Sequence, residues 1–157
     1  QWTYDAAGRK TNEVVVGVMT NRFVYNGAGD LTDLYDGNQV RRHNRTQCRY
    51  DAYGRVAHKV YANNQTNLTY TYNLLGQLAT RWSQAKRSTA YLYDRKGNLT
   101  NVNYPSSVDL RFQFDALNRT TNMIDAAGTT KFTNAHGLPA TEDGPWTTDV
   151  LTWSYNN

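Results

Sequence analysis

Only one cysteine, Cys48, occurs in the chain, so no intrachain disulfide can staple the fold. Long apolar runs are missing as well. The longest, Val14-Val15-Val16-Gly17-Val18-Met19, is far too short to span a bilayer, and no signal peptide opens the sequence. His43, His58 and His136 show no metal-ligand spacing with one another or with Cys48. There is no Gly-rich phosphate loop, His-Glu-x-x-His or Gly-x-Ser-x-Gly motif. The expectation is a chain without catalytic residues, metal or cofactor, and therefore not an enzyme. Apolar stripes of helical period are scarce too, which argues against helices.

What the chain has instead is a phrase that keeps restarting: an aromatic, then Asp or Asn, then Gly three residues further on. The copies are Tyr4-Asp5-Ala6-Ala7-Gly8, Tyr25-Asn26-Gly27-Ala28-Gly29, Tyr50-Asp51-Ala52-Tyr53-Gly54, Tyr72-Asn73-Leu74-Leu75-Gly76 and Tyr93-Asp94-Arg95-Lys96-Gly97. Two degenerate copies follow, Phe114-Asp115-Ala116-Leu117-Asn118 and Thr133-Asn134-Ala135-His136-Gly137, and Tyr155-Asn156 begins an eighth. Successive starts lie 21, 25, 22, 21, 21, 19 and 22 residues apart. A period in this range means one supersecondary unit used many times. Residues 1–157 thus read as a single array of seven complete repeats, with the character of a piece from a longer chain.

Each repeat carries the chemistry of a hairpin. A second aromatic or Cys48 usually stands two residues before the first, as at Trp2, Phe23, Tyr70, Tyr91, Phe112 and Trp153, and residues at i and i+2 share one face of a strand. Six residues beyond the aromatic comes an aliphatic in Leu31, Val56, Leu78 and Leu99, placed to pack across the pair. Asp or Asn opening a turn bonds the backbone two residues on, and Gly closing it supplies positive φ. Asn118, the substitute for Gly, tolerates that conformation best among the other residues. Looser reversals fall midway, at Val16-Gly17, Asp36-Gly37-Asn38, Ala62 to Gln65, Gln84 to Arg87, Pro105 to Ser107, Asp125 to Gly128 and Glu142 to Pro145. The expected fold is all-β, with about fourteen antiparallel strands. An open sheet of that width is expected to curve or spiral.

Composition bounds the surface. Twelve Tyr, four Trp, four Phe and twenty Thr favour strands, while a hydrophobic content of 39% and a mean hydropathy of −0.76 leave one sheet face wet. Net charge is +4 with pI ≈ 9.2. The basic stretch Arg41 to Arg45, with Arg81, Lys86 and Arg87, could suggest single-stranded nucleic acid. Interspersed acids, and aromatics pinned to the turn register, favour solvated charges and no nucleic-acid partner. Calcium at the turns is disfavoured because Asn replaces Asp in three of seven copies, removing charge that a hard cation wants. Asn-x-Ser/Thr sequons at Asn44, Asn64, Asn67, Asn98 and Asn118 read as by-products of turn composition. Cys48, in an upstream aromatic slot, reads as a small packed hydrophobe.

The phrases Tyr93-Asp94-Arg95-Lys96-Gly97-Asn98-Leu99-Thr100 and Tyr25-Asn26-Gly27-Ala28-Gly29-Asp30-Leu31-Thr32 resemble the YD repeat of the Rhs family, and the resemblance runs over essentially the whole chain. That family includes bacterial Rhs polymorphic toxins, shell components of Tc toxins, wall-associated proteins and teneurins. The resemblance implies a hairpin sheet that spirals into a hollow shell, secreted or at a cell surface and more in keeping with a bacterium. In toxin members the shell encloses an effector polypeptide; teneurin-like shells serve adhesion. Expected partners are flanking YD repeats of the same or adjacent chains, an enclosed effector, or a glycan. The Asp-Pro-rich closing segment of toxin members, with its self-cleaving aspartate, has no counterpart in these residues. A filament built by edge-to-edge pairing of sheets is a further alternative.

Overall fold

The computed structural model describes residues 1–17, 19–37, 45–61 and 68–155. Val18, Asn38, Arg41, Arg42, His43, the reversal at Ala62 to Gln65, the sequons at Asn44, Asn64 and Asn67, and Asn156 lie outside these residues. Fifteen antiparallel strands follow chain order in one open sheet, and no described residue is helical. The count exceeds fourteen because the eighth, incomplete copy contributes a strand of its own, β15 (Val150–Thr152).

The chain falls into two compact units, Gln1–Arg87 and Ser88–Asn157. The first contains β1 (Trp2–Tyr4), β2 (Lys10–Val15), β3 (Met19–Tyr25), β4 (Leu31–Tyr35), β5 (Arg45–Tyr50), β6 (Val56–Tyr61), β7 (Leu68–Tyr72) and β8 (Leu78–Ser83). The second contains β9 (Arg87–Tyr93) from its second residue onward, β10 (Leu99–Asn103), β11 (Leu110–Phe114), β12 (Thr120–Ile124), β13 (Thr129–Ala135), β14 (Leu138–Asp143) and β15. Each repeat is one odd–even hairpin, and the looser reversals join one hairpin to the next. The last of these comes later than its sequence suggests: Glu142 and Asp143 still belong to β14, and the chain turns over Gly144 to Asp149.

Register explains the aliphatic six residues after the aromatic. Tyr25 stands opposite Leu31, Tyr50 opposite Val56, Tyr72 opposite Leu78 and Tyr93 opposite Leu99. The pairing then slips by one residue in all seven hairpins. Tyr25 pairs with Leu31 but Val24 pairs with Asp33, so Thr32 is a bulge residue facing no partner of its own. The skipped residues are Thr11, Thr32, Ala57, Ala79, Thr100, Thr121 and Ala140, all Thr or Ala. A bulge crowds the returning strand and breaks the ladder there; a small side chain fits. The Thr32 and Thr100 hydroxyls each donate across the hairpin to a carbonyl, of Val24 and Leu92, at 3.2 Å.

Burial is shallow. Val102 is the one buried hydrophobic among the described residues, and no large side chain is fully buried. A single layer has two half-wet faces, so cross-strand pairs rather than a thick core hold it. Tyr35 and Trp82 lie on one face, while the turn aromatics and the aromatics two residues before them share the opposite face, as with Phe112 and Phe114, whose ring centroids are 6.5 Å apart. Half-buried Cys48 shares that face, opposite Lys59. The other face is rich in Thr, Asn, Gln and Arg.

Candidate functional site: stacked turns and the bonds between repeats

Six of the seven turns are built alike. In the first, the Ala7 and Arg9 backbone N–H groups donate to Asp5 Oδ1, each at 2.9 Å. The Gly8 N–H donates to the Asp5 carbonyl at 3.0 Å and the Asp5 N–H to the Arg9 carbonyl at 2.9 Å. One side-chain oxygen thus satisfies two donors that the tight reversal would otherwise leave unpaired. The same bonds recur around Asn26, Asp51, Asn73, Asp94 and Asp115. The closing residue adopts positive φ in each, between 75° and 97° for Gly8, Gly29, Gly54, Gly76 and Gly97 and 63° for Asn118.

The second side-chain atom of the Asx residue selects a partner four residues on. Asp5, Asp51 and Asp115 accept from the Nε of Arg9, Arg55 and Arg119, each at 2.7 Å. Asp94 accepts from Asn98 Nδ2 at 2.9 Å. Where the turn opens with Asn, the partner becomes an acceptor: Asn26 Nδ2 donates to Asp30 Oδ2 at 3.0 Å, and Asn73 Nδ2 to Gln77 Oε1 at 2.8 Å. A carboxylate meets a donor and an amide meets an acceptor in every case. The carboxyl groups of Asp5 and Asp115 are held below the usual range chiefly by the backbone N–H of Arg9 and Arg119. Asp51 and Asp94 are lowered chiefly by the side chains of Arg55 and Asn98.

Successive repeats are bonded through the aromatic. In the first unit the Tyr25, Tyr50 and Tyr72 hydroxyls donate to the Lys10, Leu31 and Val56 carbonyls, at 2.9, 2.7 and 2.8 Å. Each receiving carbonyl belongs to the residue six beyond the preceding repeat's aromatic. The turns also touch. The Arg9 guanidinium lies 4.8 Å from the Tyr25 ring centroid, and that of Arg55 lies 4.3 Å from Tyr72. In the second unit Lys96 Nζ donates to the Ala116 carbonyl at 3.0 Å, and Asn98 Nδ2 to Asn118 Oδ1 at 3.1 Å.

The seventh turn corrects the sequence reading. Asn134 does not open it; Asn134 lies in β13 opposite Pro139, in the slot that Tyr or Phe fills elsewhere. Ala135 pairs with Leu138, leaving a two-residue loop of His136 and Gly137 with φ of 52° and 83°. Positive φ at both loop residues is the type I′ signature, favoured because its twist matches the strands. This loop is one residue shorter, so an alignment on Asn–Gly spacing slides by one.

The Asx and closing residues are legible in the sequence, but three other participants escape it: the partner four residues beyond the Asx, the small bulge residue and the carbonyl that receives the tyrosine. The first two leave a signal. Arg9, Asp30, Arg55, Gln77, Asn98 and Arg119 switch between donor and acceptor in step with Asp and Asn. Among the described residues no group of three or more His, Cys, Asp or Glu is gathered as for a metal ion, and no helix is long and apolar enough to cross a membrane.

Tandem bulged hairpins, bonded repeat to repeat along their turns, define a structural shell-type repeat array. The chain belongs to the teneurin YD-shell family, whose model matches residues 3–127. Among solved structures it is similar to the Photorhabdus luminescens Tc holotoxin pore, with TM-score 0.75 and 14% identity, covering 90% of this chain and 9% of that one. It is also similar to a crystal structure of TcdB2-TccC3-Cdc42, with TM-score 0.78 and 15% identity over 96% of this chain. The chain spans 9% of the length of each of these proteins. At such identities the likeness is one of fold.

Proposed function

We propose that this chain is a non-enzymatic wall segment of a secreted or cell-surface shell of bacterial type, enclosing a toxin or effector polypeptide. The observation that carries the reading is the bonding between repeats. The Tyr25, Tyr50 and Tyr72 hydroxyls, and Arg9 and Arg55 stacked on the next Tyr, tie one hairpin to the following one, and a wall needs that continuity. The Thr- and Asn-rich composition suits a lumen that holds an unfolded cargo loosely. Neighbouring YD repeats, in the same polypeptide or an adjacent one, continue the wall in this reading. The test is limited proteolysis of the native parent protein. A segment of the parent that resists protease in the intact particle and is digested after mild denaturation supports enclosure; digestion of every segment outside the repeats at the same rate in both states refutes it.

A second reading, an extracellular adhesion or glycan-binding module, draws on one feature. Tyr53 is 83% exposed, beside Leu74 and Leu75, at an open cleft of about 550 Å³ shared with Arg55, Tyr72 and Asn73. An exposed aromatic suits a sugar face. A glycan array that lights up with the parent and goes dark with Tyr53→Ala supports this module; a blank array with the parent removes it.

A further inference from the structure

The two units differ in charge. Residues 1–87 carry twelve Lys or Arg against six Asp or Glu, and residues 88–157 five against seven. Part of the excess sits on the polar face. Register places Arg22 opposite Tyr35 and Tyr35 opposite Arg45 across β3, β4 and β5. Gln47 and Arg49 continue the same face along β5, with His58 opposite Arg49 on β6. Arg22, Arg45 and Arg49 are exposed.

Asp33 neutralises one of these cations. Arg45 Nε donates to Asp33 Oδ1 at 2.6 Å, and the carboxylate is largely buried. Among the described residues Arg22 and Arg49 have no carboxylate partner; Arg49 reaches only Gln47 Oε1, at 3.5 Å. The second unit supplies an internal control. On its polar face Lys131 stands opposite Asp143, and Arg111 has Asp109 at 4.0 Å. The same architecture is therefore built with a carboxylate opposite or near these face cations, and the bare pair on β3 and β5 is not a requirement of the fold.

We infer that the polar face of β3–β6 docks an acidic segment of polypeptide. Spacing selects the ligand. Two strand intervals separate Arg22 from Arg45 by ~10 Å, and four residues along a strand separate Arg45 from Arg49 by ~13 Å. A single small anion cannot bridge such gaps, whereas carboxylates several residues apart on an extended chain can. The backbone groups inside the sheet are already paired, so the grip comes from side chains and favours an acidic side chain over strand addition. A nucleic acid would need an open aromatic platform for its bases. Tyr35, the exposed aromatic of this face, has the Arg22 and Arg45 guanidinium groups at 5.5 and 5.7 Å from its ring centroid. Docking of this kind does not depend on the shell enclosing a cargo.

The test is fluorescence anisotropy of a labelled oligoglutamate peptide titrated with the 157-residue chain at low salt. Saturable binding is expected, weakened on the order of tenfold by the double variant Arg22→Gln/Arg49→Gln, which removes both unmatched guanidinium groups. The charge-matched variant Lys86→Gln/Arg95→Gln, at two exposed turns, should bind like the parent. Thermal melts of both variants check that the fold is retained. Equal weakening by the two double variants would reduce the effect to net charge and overturn the inference. So would the absence of saturable binding, or tighter binding of an oligothymidylate than of the peptide.

Discussion

Replacing Asn26 by Asp is the sharpest probe of the rule that couples the first turn residue to the residue four positions on. Asn26 Oδ1 holds the Ala28 and Asp30 backbone N–H groups, a task that an Asp oxygen performs equally well in four other turns. The damage falls on the other atom. Nδ2, which donates to Asp30 Oδ2 at 3.0 Å, becomes an oxygen facing an oxygen. The lost bond is worth about 1 kcal/mol. Two like charges at this separation add about 1 kcal/mol in bulk water and more where the protein displaces water. A destabilisation of ~2–3 kcal/mol at neutral pH follows from the two terms, which lowers Tm by roughly 4–12 °C in a chain of this size. The compensating variant Asn26→Asp/Asp30→Arg rebuilds the Asp5–Arg9 arrangement and should recover most of the loss. Thermal denaturation of the single and double variants at pH 7 measures both. An Asn26→Asp protein as stable as the parent, or a double variant no better than the single, refutes the coupling.

Tyr50→Phe removes the bond to the Leu31 carbonyl and should cost about 1 kcal/mol in a urea titration. Tyr53→Phe, at an exposed turn tip, should leave stability within about 0.5 kcal/mol. Gly54 has φ 75° and nothing within 4 Å of the position a Cβ would take. Gly54→Val therefore costs backbone strain alone, ~1–2 kcal/mol, while Ala52→Val in the same turn is nearly neutral; equal melting temperatures would contradict the turn geometry. The four turn carboxylates are lowered in the folded chain. Their stabilisation is complete above the unfolded value near pH 4 and is lost as pH falls through the lower folded values. Melts should therefore be flat from pH 5 to 7 and decline below about pH 4; a Tm unchanged down to pH 2.5 would contradict this linkage.

Much of the fold was legible because its signals are local. Asp or Asn, two free positions and Gly specify a turn through bonds that span four residues, and the pairing of Tyr25 with Leu31 follows once the turn is placed. Thr133-Asn134 misled because the shortened His136–Gly137 loop restores the hairpin by a different turn with nearly the same letters. The bulge was hidden for another reason: its mark is only that Thr or Ala always fills one position, and in a Thr-rich chain that passes for strand composition.

The sequence by itself determined the hairpin unit, its period, its aromatic face and the family it resembles, since each depends on contacts within one repeat. The tertiary structure alone decided how one repeat holds the next. The Tyr50 hydroxyl reaches the Leu31 carbonyl across 19 positions of chain, and every residue has a carbonyl, so no letter marks the acceptor. Likewise the bare guanidinium groups of Arg22 and Arg49 and the matched one of Arg45, paired with Asp33, look alike in a charge count. Strand register sets which charges face one another, and register emerges only when the strands are laid side by side.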